Sequence, residues 1–439
     1  AKDGSPLLGA SIVVKGSKLG AQTGADGTFK IAVPSATTTL VISSVGFASQ
    51  EINIQNKTSV EVSLKATNEQ LGEVVVIGYG TRKLKDATGS VVSLGEKSFN
   101  KGIISSPEEL FQGRTAGVSV TPSSGEPGAA ININIRGTSS IRSNNNPLFV
   151  VDGVPLDAGG TSGTASGVEG SSTPKNPLIF LNPNDIENIS ILKDASSAAI
   201  YGARGANGVV LITTKSGKGK GGFTFGTTTS FSKTAKRYDL LSAQDFLLGV
   251  KKANVDAGTD PVSAAAAVLS VDKGFSTDWQ DQIFQTGISQ NYNLGWGFSK
   301  NGTALRISAS YDDQKGIIKT SGLKRVTSRV NFSQKFANDK LRFDAIVTYA
   351  NVKNQYAPNT NDAGYQGSLI GAAIAFNPTY PVYNADGTFY DPLDGNRNPA
   401  EMLSYFTDKD NLDRFLTNLS LSWNITNGLI YKITYGYDN

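Results

Sequence analysis

The strongest constraint on the fold is an alternation of apolar and polar residues along residues 221–439. Val330 and Phe332 lie on one side of the pattern, for example, while Arg329 and Asn331 lie on the other. Because successive side chains point to opposite faces of a β-strand, this period of two predicts strands with one apolar face. About seven such runs occur, at 223–231, 292–298, 305–311, 325–336, 341–349, 419–425 and 429–437.

The connections between these runs alternate in length. Tight turns are predicted at Asn301-Gly302, Asn338-Asp339 and Asn427-Gly428, and the other connections, 233–290, 312–323 and 354–411, are longer. Short turns at one end and long loops at the other are typical of outer-membrane β-barrels. A soluble sandwich has no physical reason to sort its loops in this way. The sequence therefore predicts part of a transmembrane antiparallel barrel.

The composition excludes several kinds of chemistry. The 439 residues include no Cys and no His, so disulfides, thiolate nucleophiles, Cys-ligated metals and Ser-His-Asp triads are all excluded. The net charge is +4, and no basic cluster is long enough to indicate nucleic-acid binding. No stretch approaches the ~18 apolar residues of a transmembrane helix. The sequence opens at Ala1 without a Met or an apolar leader, which fits a secreted chain that has lost its signal segment, or a shortened sequence.

Two further regions precede the alternating part. Residues 1–66 contain short runs rich in Val, Ile and Thr, with a tight-turn signal at Asp26-Gly27, and predict a small β-sandwich. From about residue 71 to residue 218 the pattern is mixed α/β. In the first region the runs are 10–15, 28–33, 39–44, 50–54 and 59–64.

Two helix starts are predicted in the mixed region. Ser106-Pro107-Glu108-Glu109 combines a capping hydroxyl, a proline and two acids. Asp194 is expected to cap a short helix of small residues at 195–201, which Gly202 ends. Strands are predicted at 185–193 and 209–214.

A short apolar segment, Leu71-Gly72-Glu73-Val74-Val75-Val76-Ile77-Gly78-Tyr79-Gly80, stands between the first two regions. A basic, polar stretch follows it. Such a segment suits addition to the sheet edge of another protein, where backbone bonds give affinity and side chains give selectivity. The other interpretation is an ordinary strand of the mixed region, and composition alone favours it slightly.

The glycine-rich and acidic segments favour structural roles. The stretches 202–208 and 217–222 lack the spacing of dinucleotide-binding and phosphate-binding loops, so turns and a domain junction are the better interpretation. Acidic groups at 386–394 and 408–413 could supply oxygen ligands for calcium, but neither has EF-hand spacing, and solvated loops are favoured. No nucleophile–base constellation can be named, so an enzyme is not predicted.

Two stretches of the mixed region carry a resemblance to a known family. The first is the run around Asp152, Gly153 and Pro155, and the second extends from residue 181 to residue 215. These two stretches resemble the plug signature of the SusC-type (RagA-type) TonB-dependent transporters of the Bacteroidota outer membrane. The apolar segment 71–80 resembles the TonB box of the same family. The matching positions of the second stretch are Lys193, Asp194, Tyr201, Gly202, Arg204, Gly205, Asn207 and Gly208, and those of the TonB box are Leu71, Glu73, Val74, Val75, Val76 and Ile77.

The resemblance implies a β-rich chain of four parts. They are a carboxypeptidase-regulatory-like β-sandwich at 1–66, a linker with the TonB-box-like strand at 67–85, a plug domain at 86–218 and the start of a transmembrane β-barrel at 219–439. A complete barrel of this class has about 22 strands. Because an open sheet in a bilayer leaves unpaired edges, we expect the strands to be completed by a longer chain or by another protein.

The implied function is active import across the outer membrane, with the N-terminal domain in the periplasm. The cargo would be a glycan oligosaccharide or a peptide. The implied partners are the periplasmic domain of TonB, a SusD-like surface lipoprotein that acts as a lid, and outer-membrane lipid. Neither a cofactor nor a bound metal is implied. Segments 139–146 and 159–172, rich in Ser, Asn and Gly, are expected to line the substrate cavity.

Two alternatives remain open at this point. One is an outer-membrane transducer that signals substrate occupancy to a periplasmic partner. The other is a partially folded barrel held by the barrel assembly machinery, which would then be a further partner. A non-transporting surface β-protein is less compatible with the plug-like stretches.

Overall fold

The computed structural model describes the chain except for residues 1–5, 8, 18, 25, 34–38, 45–46, 48, 56, 65–73, 78–79, 84–89, 103, 139–144, 157–175, 219–220, 360–367 and 427. The chain forms two compact units. The first comprises 1–75 with 82–86, and the second comprises 76–81 with 87–439. Each unit is described by itself.

The first unit contains one four-stranded antiparallel sheet with the strand order β2-β1-β3-β4. Its core includes Ile12, Leu40 and Ile42, which alternation places on one face. The predicted strands at 28–33 and 59–64 do not join this sheet, although their apolar side chains pack against its core. The strands are β1 (Ser11–Val14), β2 (Gly20–Gln22), β3 (Thr39–Ser43) and β4 (Gln50–Asn53).

Two short strands, β5 (Val74–Ile77) and β6 (Gly80–Lys83), form a two-stranded sheet. β5 is the described part of the predicted TonB-box segment. Leu71, Gly72 and Glu73 lie outside the described residues.

The second unit begins with a five-stranded sheet, here called the mixed sheet, with the order β11-β10-β13-β12-β7. β10 and β13 are parallel, and the other neighbours are antiparallel. Strand β7 pairs only with β12 and is therefore an edge strand of this sheet. The strands are β7 (Val91–Gly95), β10 (Leu148–Val151), β11 (Val154–Pro155), β12 (Ile186–Leu192) and β13 (Val209–Thr214), and β8 (Val118–Pro122) pairs separately with β9 (Ile131–Ile135).

Helical structure around the mixed sheet is short. A 3-10 turn spans Pro107–Phe111, but the Ser106 side chain does not cap it. Helix α1 (Ala195–Ala198) continues as a 3-10 turn to Gly205, with a kink at Gly202, where φ is +60°. Asp194 occupies the N-cap position of α1, but its side chain does not bond the helix, so the predicted side-chain cap is wrong.

The seven predicted alternating strands form one antiparallel sheet, here called the long sheet, in simple sequence order from β14 to β20. This is the arrangement expected for part of a barrel. The strands are β14 (Gly222–Ser232), β15 (Gly287–Lys300), β16 (Thr303–Lys315), β17 (Gly322–Phe336), β18 (Leu341–Tyr356), β19 (Asp408–Thr426) and β20 (Leu429–Asp438).

The connections of the long sheet are sorted as predicted. The three tight turns lie at one end, here called the turn end, and the longer connections lie at the other, here called the loop end. The longer connections carry α2 (Ala243–Asp256), α3 (Pro261–Val271), α4 (Trp279–Ile283), α5 (Leu369–Ala375) and α6 (Pro399–Tyr405). Within the described residues, none of the helices has the length and apolarity that crossing a membrane requires.

The two faces of the long sheet differ sharply. Large apolar side chains such as Val330, Tyr349 and Ile433 are exposed on one face. On the other face, polar side chains such as Arg325, Arg329 and Asn331 are buried, because the mixed sheet and its connections pack there. The core of the mixed sheet includes Ala350 of β18 and Leu416 of β19.

Candidate functional site

The candidate site is the interface between the mixed sheet and the polar face of the long sheet. Its centre is the hairpin turn between β10 and β11, where Val151 pairs with Val154. The two turn residues, Asp152 and Gly153, have φ values of +49° and +90°. Positive φ at both central positions is what a two-residue hairpin turn requires, and Asp and Gly tolerate it best. The turn therefore presents the Asp152 carboxylate toward the long sheet.

Asp152 lies at the centre of this interface and bonds both sheets. Its carboxylate accepts hydrogen bonds from the Thr214 backbone N–H at 2.9 Å and from the Thr214 hydroxyl, and it pairs with the Arg329 guanidinium of β17. The Asp152 and Arg329 side chains are 5% and 4% exposed. Arg329 also donates to Thr348 Oγ1 at 2.8 Å, and Asn418 of β19 donates to the Asp152 backbone carbonyl. One turn of the mixed sheet is thus bonded to two strands of the long sheet, β17 and β19, and Thr348 of β18 holds its arginine partner.

A second buried pair lies closer to the loop end. Arg325 of β17 and Asp312 of β16 face each other with a 3.1 Å contact, and their side chains are 0% and 3% exposed. Arg325 Nη1 also donates to the backbone carbonyls of Ile179 at 2.8 Å and Ser105 at 3.4 Å. Arg325 of this pair is therefore hydrogen-bonded to two segments that flank the mixed sheet, one at Ser105 and one at Ile179.

Asp185 and Arg414 make further contacts across the interface. Asp185, just before β12, accepts a hydrogen bond from Ser308 Oγ at 2.9 Å and lies 3.5 Å from Arg306. Arg414 of β19 makes two bonds to Asp438, at 2.8 and 2.7 Å, and donates to the Pro177 carbonyl at 3.0 Å. Its guanidinium lies 4.3 Å from the centre of the Phe180 ring.

Sequence patterns alone did not assign these partners. The alternation predicts Arg329 on the polar face of a strand, and Arg325, four residues earlier, follows the same pattern, but polar residues on that face can equally contact water. Their four-residue spacing, which puts two arginines on one face of one strand, is the signal that could have indicated a negatively charged partner.

Asp194 and Lys193 contact residues that come earlier in the mixed region. The Asp194 carboxylate accepts a hydrogen bond from the Ser90 backbone N–H at 2.5 Å and pairs with Arg136. The Ser90 bond, followed by Arg136, lowers the Asp194 pKa below its usual value. Lys193 donates to the Ala116 carbonyl at 3.2 Å. Asp194 therefore fixes Ser90, the residue just before β7.

The glycine-rich stretch after α1 is a packing element. A Cβ at Gly208, where φ is +90°, would lie 2.7 Å from Ile135 Cδ1, and a Cβ at Gly205 would lie 2.9 Å from the Ala198 carbonyl oxygen. Arg204 donates to the Leu156 carbonyl at 2.9 Å, and Asn207 to the Asn146 carbonyl at 3.5 Å. Tyr201 packs against a small core that includes Leu148 and Ala198, and Pro155 pairs with Val150.

One buried acid stands apart from these ion pairs. Glu108 is fully buried, and its Oε2 accepts a hydrogen bond from Asn176 at 3.2 Å, whereas Oε1 has no partner among the described residues. Burial raises its pKa to about 7. In the part of the chain that the structure describes, no three acidic side chains are grouped closely enough to hold a metal ion.

The sequence matches known proteins over nearly its whole length. Residues 83–209 match the TonB-dependent Receptor Plug Domain, and residues 1–76 match the CarboxypepD_reg-like domain. The chain is 36% identical to the TonB-dependent receptor SusC of Bacteroides thetaiotaomicron, covering 96% of this chain and 41% of that protein. It is 34% identical to the TonB-dependent receptor P26 of Formosa agariphila, covering 99% and 42%. The chain corresponds to the N-terminal part of a SusC-like TonB-dependent receptor, with its plug and CarboxypepD_reg-like domains.

The fold of this SusC-like chain agrees with the family. It is similar to the RagAB peptide importer in its open-open state, with a TM-score of 0.68 and 24% identity, covering 83% of this chain and 42% of that one. The chain spans about two fifths of the length of the curated relatives it matches. The relatives that it matches are TonB-dependent receptors of the outer membrane. The mixed sheet lies mostly within the range of the plug match, and we call this region the plug from here on.

Proposed function

We propose that the chain forms the plug and the adjoining wall of an outer-membrane importer that is driven by TonB. The observation that carries the proposal is the seating of the plug by buried ion pairs, Asp152–Arg329 above all, on the inner face of a sheet whose outer face is apolar. A lipid-facing wall with a polar interior is what a plugged barrel requires. In this proposal the turn end faces the periplasm and the loop end faces the exterior.

The proposed TonB contact is the segment Leu71, Glu73, Val74, Val75, Val76 and Ile77. Its described part is already an extended strand, β5, which is the conformation needed to add to another sheet edge. Bonds made by the backbone would transmit a pull, and the run of β-branched residues favours the strand over other conformations.

The pull would act first on β7. This strand follows the coupling segment in sequence and is an edge strand bonded to β12 alone, so only its bonds to one neighbour must break for it to leave the sheet. A cavity of about 330 Å³ lies between the segment that follows β7, including Phe99 and Ile104, and strands β14 to β16. Displacement of β7 and this segment would widen the cavity into a passage for cargo.

The cargo and the remaining partners are proposed from the family. We propose that a glycan oligosaccharide or a peptide enters at the loop end beneath a SusD-like surface lipoprotein and leaves past the displaced plug. The similarity in fold to the RagAB peptide importer supports the proposed pairing with a SusD-like partner. The N-terminal unit would lie in the periplasm.

The proposal is tested by deleting residues 71–79 from the full-length receptor. Energised uptake of labelled cargo should be lost, while cargo binding at the cell surface should persist. As a control of equal length, a deletion within the exposed helix α2 should leave uptake dependent on TonB. Uptake that survives the 71–79 deletion would disprove the proposed coupling.

A further inference from the structure

A second cavity, of about 510 Å³, lies at the loop end. Its walls come from the plug connection between β8 and β9 and from all three longer connections of the long sheet. The lining includes Glu126 of the plug together with Lys236, Tyr238, Phe284 and Asn359. The cavity is therefore bounded both by the element that would move and by the connections that would meet cargo first.

Glu126 is the unusual member of this lining. Glu126 is only 8% exposed, and its Oε1 accepts a hydrogen bond from the Ala357 backbone N–H at 2.8 Å. The other oxygen, Oε2, is buried and has no hydrogen-bond partner among the described residues. A buried carboxylate oxygen without a donor is costly, so the site is incomplete as it stands.

The groups that act on Glu126 include no cation, and Lys236, which shares the cavity lining, is exposed to solvent. Burial raises the Glu126 pKa, the Ala357 amide and the Asn359 side chain oppose this rise, and Asp408 of β19 adds to it. Tyr356 of β18 pairs in register with Asp408, and its buried hydroxyl also has no partner in the described structure. The corner formed by Glu126, Tyr356 and Asp408 therefore has a surplus of negative charge and of unused hydrogen-bonding atoms.

We propose that this cavity binds a primary ammonium group of the transported molecule, with Glu126 as its counter-ion. An ammonium group has three donors and one positive charge, which match an unpartnered carboxylate oxygen beside a second acid. The Tyr238 ring, 63% exposed, offers an apolar surface for the rest of the ligand. This inference rests on the proposed transport function and deepens it by naming a chemical group of the cargo.

The same chemistry is found in two kinds of cargo, the N-terminus of a peptide and an amino sugar. The test uses the full-length receptor in detergent and calorimetric titration with trialanine and with a glucosamine trimer. Each probe is matched with its N-acetylated form, which keeps the shape and removes the charge. We expect at least one amine probe to bind at least tenfold more tightly than its acetylated form, and the probe that does so identifies the source.

The variant Glu126→Gln keeps the size of the side chain and removes its charge. It should weaken binding of the amine probe at least tenfold and leave binding of the acetylated probe unchanged, while Glu187→Gln, on the exposed side of β12, should change neither. Below the raised pKa of Glu126, binding of the amine probe to the wild-type receptor should also release a proton, which titration in buffers of different ionisation enthalpy detects.

Two results would overturn the inference. One is that the acetylated probes bind the wild-type receptor as tightly as the amine probes, and the other is that the amine probes bind neither the wild-type receptor nor the variant. TonB-dependent uptake that survives such a result would show that the transport proposal stands without it.

Discussion

Asp152 and Arg329 are bonded to each other although they are 177 residues apart in the sequence, and both side chains are buried between the plug and β17. Asp152 is held in place by its own turn and by Thr214, whereas Arg329 is held by Thr348 of the next strand. Each partner is therefore held by contacts within its own sheet as well as by the other partner.

Replacing Asp152 with Asn is expected to loosen the plug. The Asn side chain tolerates positive φ, so the turn should persist, but Arg329 is left buried without a negative partner. Removal of one member of a buried pair costs about 3–5 kcal/mol. Hydrogen exchange of plug peptides in the full-length receptor should therefore show opening that is at least about a hundredfold more frequent.

The exposed pair Lys252–Asp256 on α2 provides the control. Asp256→Asn should change stability by less than about 1 kcal/mol, because solvent screens surface pairs. Equal effects of the two substitutions would mean that the Asp152–Arg329 pair does not seat the plug.

Stability of the plug should fall as the pH rises, because of Glu108. A carboxyl group whose folded-state pKa is raised from 4.5 to about 7 stabilises the fold fully below its unfolded pKa, and this contribution is lost as the pH rises to about 7. The loss is roughly 3 kcal/mol for a shift of this size. Glu108→Gln should reduce the dependence, leaving the contributions of Glu109 and Glu126, whose pKa values burial also raises, and should make plug opening rarer than in the wild type at pH 8.

The measurement is native-state hydrogen exchange at pH 5 and pH 8, corrected for the intrinsic exchange rate. Glu187→Gln, at an exposed position of β12, should retain the wild-type difference between the two pH values. A Glu108→Gln receptor with the wild-type pH dependence would show that this carboxyl group is not the source.

A disulfide between β7 and β12 should block uptake. Ser93 and Ser190 are directly opposite each other in antiparallel strands, within the reach of a disulfide, and these 439 residues include no Cys. In the Ser93→Cys, Ser190→Cys receptor, oxidation should abolish energised uptake, and a reductant should restore it. Each single variant should transport under both conditions. Uptake by the oxidised double variant would mean that β7 stays in place during transport.

Gly208→Ala should destabilise the plug. A Cβ there would lie 2.7 Å from Ile135 Cδ1 and 3.0 Å from the Leu192 carbonyl oxygen, and φ is +90°. Strain of this kind costs about 1–3 kcal/mol, which hydrogen exchange of β9 and β13 should detect. Gly95→Ala is the matched control, since a Cβ at Gly95 has no neighbour within 4 Å.

The long sheet was predictable because each of its strands carries its own signal. Alternation and turn residues fix a strand such as β17 without reference to distant parts of the chain. The same alternation at 28–33 does not produce a strand of the first sheet, because a period of two describes an extended segment and not its hydrogen-bond partner. Asp194 shows a related failure, since the distant Ser90 amide binds the carboxylate that was expected to cap α1.

The candidate site was predictable in part. The stretch around Asp152 was identified by its resemblance to the plug signature, but its partner Arg329 was not, because the contact depends on how two sheets pack. The TonB-contact residues remain a prediction. The substrate-lining segments 139–146 and 159–172 lie largely outside the described residues, so their role remains a prediction. Among the described residues, the lining of the cavity at the loop end includes the connection that contains Glu126.

The position of β7 at the edge of the mixed sheet also has a consequence for how the chain folds. Val91 pairs with Leu192, about a hundred residues later in the sequence, so β7 has no sheet partner until most of the plug has been synthesised. Closing a loop of this length costs entropy that only the finished sheet can offset. We therefore expect β7 to join last in assembly, although it is among the first plug segments to be made.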